Sequence, residues 1–162
     1  MSLLKRFFAA LTASVLMIPL FSAVSAQEQA KTGTPEISAK AAVLIDADSG
    51  KVLFARQESL RLPMASTTKI MTALLALEQA EVKDPVVTVT DEMVRVEGSS
   101  MGLMPGNKLR LSDLAVGMMM VSGNDAANTV AIAMAGNATK FAELMNARAQ
   151  EIGMKNTHFV TP

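Results

Sequence analysis

"PMASTTKIMTALLALEQA", residues 63–80, is the stretch on which the fold turns. From Ile70 to Leu77 every side chain except Thr72 is apolar, which predicts a helix, running to about Gln79, that is apolar almost all round and enclosed by other elements. One turn before that run stands Lys69, beside the positive end of the helix dipole and at the mouth of a dry interior, where both effects disfavour its charge. Ser66 lies three residues earlier, so on a helical turn its hydroxyl and the amine share one face. A lysine kept neutral can take the serine proton, making Ser66 a candidate nucleophile and Lys69 its candidate general base. The plainer alternative makes Ser66 an N-cap and lets Lys69 snorkel to water along its own stem. Against that alternative, a capping box would place Glu or Gln, not Lys, at residue 69.

Around this helix the chain alternates short strands and helices. "AAVLIDADSGKVLFARQ" predicts an antiparallel hairpin, with strands over residues 42–45 and 52–55 joined by a connection rich in turn formers. "VVTV" at 86–89 is a further short strand, and "GSSMGLMPGNKLRLSDL" at 98–114 reads as irregular loop with Ser112 as N-cap of a helix over 113–121. Ser122-Gly123-Asn124 interrupts that helix, and a second follows over about 125–135. A third spans about 138–152, with Phe141, Leu144, Met145 and Ile152 on one face and Gly153 as its stop. "KNTHFVTP" at 155–162 turns toward a strand. So few strands cannot cover an almost wholly apolar helix, and the chain is expected to be the N-terminal part of a longer domain.

Composition narrows the function classes. Residues 1–26 have the parts of a secretory signal peptide: Lys5 and Arg6, an apolar core from Phe7 to Ala23, and small residues Val24-Ser25-Ala26 at the cleavage positions. Residues 27–38 read as a flexible lead-in, and 39–162 is expected to be the N-terminal part of the folded domain. Without Lys5 and Arg6, 13 basic residues stand against 15 acidic ones, a formal charge of −2 with no basic cluster, so nucleic acid is not an expected partner. The chain has no cysteine and one histidine, which speaks against a disulfide scaffold, a metal site and a Ser-His-Asp triad on His158; no cofactor is expected. The methionines, Met118–Met120 among them, read as core filling.

Ser122-Gly123-Asn124 is by itself an ordinary turn, but between two helices it can present a hydroxyl and an amide to a cleft. Ser-x-x-Lys followed by Ser-x-Asn makes two of the three elements shared by penicillin-binding proteins and class A β-lactamases; no Lys-Thr-Gly, the third, follows them in the chain, and the Lys31-Thr32-Gly33 of the lead-in precedes both. Over about residues 41–162 the chain resembles the low-molecular-mass penicillin-binding proteins that act as serine D-alanyl-D-alanine carboxypeptidases. The likeness includes "LPMASTTKIMTALLALE", "GSSMGLMPGNKLRLSDLAVGMMMVSGNDAAN" and "MKNTHFVTP".

The resemblance implies an α+β fold of the β-lactamase/penicillin-binding-protein (transpeptidase-like) type, an antiparallel sheet flanked by helices, with its C-terminal part absent. It implies Ser66 as acylated nucleophile, Lys69 as general base, Ser122 as proton relay to the leaving group and Asn124 as holder of the substrate amide. The substrate would be the D-Ala-D-Ala end of a peptidoglycan stem peptide, and β-lactams would acylate the same serine. The site would be exported to the periplasm, at the outer face of the inner membrane, with anchoring only through a C-terminal segment absent here. A D,D-endopeptidase of the same family and a non-catalytic binding fragment are the alternatives.

Overall fold

The computed structural model describes residues 36–162. The expected signal peptide and most of the lead-in lie outside the described residues. The described chain divides into two compact units, one ending at Ser59 and one running from Leu60 to Pro162.

The first unit is the expected hairpin. β1 (Ala42–Ile45) and β2 (Val52–Arg56) pair antiparallel, with Ala42 opposite Arg56 and Leu44 opposite Phe54. Asp46 shapes the connection: its carboxylate accepts from the Ser49 N–H at 2.9 Å and from the Ser49 hydroxyl.

The second unit is mostly helical. A 3₁₀ turn (Ala65–Thr68) leads into α1 (Lys69–Val82), then β3 (Val86–Thr88), the short α2 (Asp91–Val94), β4 (Lys108–Arg110), α3 (Leu111–Val121), α4 (Asn124–Ala135) and α5 (Ala138–Glu151). β3 and β4 pair antiparallel, with Val87 opposite Leu109. Fully buried Ala76, Leu114, Met118, Ala126, Val130, Ala131, Phe141 and Met145 form the core among α1, α3, α4 and α5. Alanine on α1 and α4 lets the helix backbones approach closely, while Phe141, Leu114 and the two methionines fill the remaining volume.

Several sequence expectations need correction. Ser66 is not an N-cap of α1, because the 3₁₀ turn precedes the helix. The stretch after Gly98 is not all loop: Lys108–Arg110 has a partner strand in β3, a pairing between segments some twenty residues apart that local composition does not announce. Ser112 does not cap α3, which starts one residue earlier. Its N–H (3.0 Å) and hydroxyl (2.7 Å) both donate to the Asp84 carboxylate, which meets the first turn from outside the helix.

Burial also departs from the simple reading. On α1 the one polar residue of the run, Thr72, is fully buried, whereas Ile70 is 58% exposed. On α5 the buried positions are Phe141, Ala142, Met145 and Ala149, with Leu144 and Ile152 at the surface. Met118 is core but Met119 and Met120 are exposed, since successive helical residues point about 100° apart. The final segment forms no strand. The Asn146 side chain grips it instead, accepting from the Phe159 N–H and donating to the Phe159 carbonyl, both at 2.8 Å.

Candidate active site

Ser66 lies in the 3₁₀ turn, exposed, where the first N–H groups lack an intrahelical acceptor. Its predecessor Ala65 has φ +47°, a left-handed conformation that a non-glycine residue adopts at a cost of about 1–2 kcal/mol. Lys69, the first residue of α1, is 5% exposed. Burial lowers its pKa from the ordinary lysine value of 10.5, as the sequence predicts, and no carboxylate pairs with it among the described residues. Its Nζ donates to Asn124 Oδ1 at 2.7 Å. Ser66, Lys69 and Asn124 line one open cleft of about 490 Å³, together with Val96, Asn128 and Thr161.

Ser122 ends α3 with φ +55°, and this reversal lets α4 begin two residues later. Its hydroxyl oxygen is buried without a hydrogen-bond partner among the described residues, and Ser122 is not one of the residues lining the cleft. Asn124 is fixed at both ends. Its backbone N–H donates to the Ser99 carbonyl at 2.7 Å and its Nδ2 to the Glu97 carbonyl at 2.7 Å, leaving one Nδ2 proton for a further acceptor. A β-carbon at Gly98 would stand 2.6 Å from Asn124 Nδ2, so the loop comes this close only with glycine there.

Two residues of this neighbourhood escape sequence reasoning. Asn128, one turn after Asn124, lines the cleft and donates through Nδ2 to the Met93 carbonyl at 2.8 Å. Asp125 is 3% exposed and accepts four hydrogen bonds, three of them from loop residues 100–103. Burial pushes its carboxyl up, but the hydrogen bonds from Met101, Leu103, Ser100 and Ala126 outweigh it and hold the pKa below the usual 3.8. The only local signal for Asp125 is an acidic residue in the first turn of a helix, which sequence reading credits to the dipole. His158 is exposed on the last segment. No cluster of His, Asp or Glu suited to a metal ion occurs among the described residues.

The sequence profile of the peptidase family described as D-alanyl-D-alanine carboxypeptidase matches residues 26–162. The chain is 35% identical to the D-alanyl-D-alanine carboxypeptidase DacF of Bacillus subtilis, over 98% of this chain and 42% of that protein. It is 34% identical to a D-alanyl-D-alanine endopeptidase of Pseudomonas aeruginosa, over 91% of this chain and 49% of that protein. Penicillin binding protein 5 from Haemophilus influenzae superposes with a TM-score of 0.72 at 35% identity, covering 79% of this chain and 39% of that structure. The α+β fold is therefore that of the penicillin-binding proteins, as the sequence predicts. The chain belongs to the D-alanyl-D-alanine carboxypeptidase family. It spans less than half the length of these two curated relatives.

Proposed function

We propose that this chain carries the acylating residues of a serine-type D-alanyl-D-alanine carboxypeptidase, with Ser66 as nucleophile, Lys69 as general base, Ser122 as proton relay and Asn124 as substrate holder. The observation that carries the reading is the buried Lys69 amine, which shares a cleft with the exposed Ser66 and is held at 2.7 Å by Asn124. In the reaction Ser66 Oγ bonds to the carbonyl carbon of the penultimate D-alanine and its proton passes to Lys69 Nζ. The C–N bond to the terminal D-alanine then breaks, and the leaving amine takes a proton relayed through Ser122. Water hydrolyses the resulting ester and regenerates the Ser66 hydroxyl.

The unpartnered Ser122 hydroxyl suits a relay, since a buried hydroxyl left without a partner costs about 1–3 kcal/mol and a proton path would give it one. The Ser66 N–H, at the start of the 3₁₀ turn, suits one arm of an oxyanion hole. A β-lactam offers a ring-strained amide carbonyl to the same serine, in place of the unstrained peptide amide. Residues 1–26 act as a cleaved export signal and the protein works in the periplasm at the outer face of the inner membrane; the family match beginning at residue 26 supports that division. Removal of a terminal residue is the first reading, and cleavage of a D,D cross-link is the second, favoured by the likeness to the Pseudomonas aeruginosa endopeptidase.

Incubating the purified chain with a fluorescent penicillin tests the proposal. A covalent adduct that survives denaturation and vanishes in Ser66→Ala is expected. An unlabelled chain, or labelling that persists in Ser66→Ala, overturns the assignment.

A further inference from the structure

Asp125 is a buried charge that the acylation chemistry leaves unused. Its Oδ1 accepts from the N–H groups of Met101 (2.8 Å) and Ala126 (2.9 Å), and its Oδ2 from the Ser100 hydroxyl (2.7 Å) and the Leu103 N–H (3.0 Å). These bonds tie residues 100–103 to the first turn of α4. Just upstream, the same loop supplies the Ser99 and Glu97 carbonyls that accept from Asn124, and Asn124 Oδ1 in turn accepts from Lys69 Nζ. We propose that Asp125 is a positioning residue for acylation: its carboxylate fixes the 97–103 loop, the loop fixes the Asn124 carboxamide, and the carboxamide sets where the Lys69 amine stands.

The hydrogen-bond pattern requires a carboxylate. Each oxygen of Asp125 faces at least one backbone N–H, from Met101 and Ala126 on one side and from Leu103 on the other. An asparagine at this position has the same size, yet either orientation of its amide sets an NH₂ against a backbone N–H that cannot accept. The loop cannot draw back without releasing Asn124. The loop also packs closely on Gly123, where an added β-carbon would lie 2.8 Å from Asp125 Oδ1 and 2.9 Å from the Met101 nitrogen.

The proposal rests on Ser66 and Lys69 as nucleophile and base, and two readouts on the full chain separate its failure from theirs. NMR of ¹³Cε-lysine-labelled protein, with the Lys69 signal assigned by its loss in Lys69→Arg, follows the amine whether or not the chain reacts. The rate of fluorescent-penicillin labelling against pH follows its action. Asp125→Asn is expected to move the Lys69 titration midpoint toward that of an ordinary lysine, to move the rising limb of the labelling profile to higher pH, and to slow labelling at neutral pH about tenfold or more. Val87→Ala, which thins the core outside the cleft, should lower the melting temperature and leave the Lys69 midpoint in place. Where Asp125→Asn does not fold, Ser100→Ala, which removes one of the four donors, should give the same displacements in smaller measure. A Lys69 midpoint unchanged in the folded variants overturns the proposal. An unlabelled parent chain would overturn the reading of Ser66 and leave the NMR result to decide the role of Asp125.

Discussion

Lys69 is a base whose folded pKa lies below its unfolded one, because burial penalises its charge. Between the lowered value and the ordinary 10.5 the unfolded chain binds a proton that the folded chain does not, so this residue makes stability rise with pH across that window. Below the lowered value, folding must bury an ammonium ion at full cost. Lys69→Met keeps the stem of the side chain and removes the titration. Its expected effect is a stability gain of about 0.5–2 kcal/mol at neutral pH, the usual return for relieving one unfavourable buried group. The gain should shrink as the pH is raised toward 10.5. Calorimetry from pH 7 to 10.5 checks this, and a gap between variant and parent that stays constant over the range would mean that Lys69 titrates as an exposed lysine does.

The last segment depends on one side chain of α5. Asn146 pairs with both the N–H and the carbonyl of Phe159, the two-way pattern of a strand neighbour, and so holds in place the buried Phe159 ring and the residues that follow, Thr161 among them at the cleft. Asn146→Ala leaves two part-buried backbone groups unpaired, for a loss of about 1–3 kcal/mol and faster amide exchange at Phe159. Asn146→Asp keeps the acceptor but sets an oxygen against the Phe159 carbonyl, so it should be nearly as damaging. Unchanged exchange in both would show that ring burial alone holds the segment. This contact also shows why sequence reading failed here: "THFV" has the composition of a strand, and nothing local reveals that an asparagine 13 residues earlier fills the partner's place. Elements whose signals are local were legible, including the β1–β2 hairpin and the break between α3 and α4 at Ser122-Gly123. The Lys69–Asn124 contact was legible only through the joint occurrence of two motifs, since its partners are 55 residues apart. Asp125 was not, because its role lies in what the loop at 100–103 donates to it. Periodicity likewise marked α1 as apolar without saying that Thr72 would be covered and Ile70 left at the surface.

At the scale of the whole molecule, two carboxylates join distant segments, and their chemistry predicts how the second unit fails in acid. Asp84 is held below the usual 3.8 chiefly by the Ser112 N–H and hydroxyl, with Arg110 adding a smaller pull at 3.7 Å. Asp125 is held below it by hydrogen bonds that outweigh its burial. Folded values below unfolded ones mean that both contributions are complete above about pH 3.8 and are lost as pH falls through the folded values. The two differ in what neutralisation does. Asp84→Asn can keep its oxygen on the Ser112 N–H and let the Ser112 hydroxyl turn round to accept from the new amide. Asp125→Asn has no such exit, since backbone N–H groups face both oxygens. Urea unfolding at pH 7, 5, 4 and 3 should therefore show a steep loss in the parent below pH 4, a small loss at pH 7 for Asp84→Asn, and a loss at pH 7 for Asp125→Asn of about 2 kcal/mol or more, as expected when buried donors lose their acceptor. Equal losses at pH 7 would sink this account, because the difference between a hydroxyl that can reverse and an amide that cannot is all that separates the two sites.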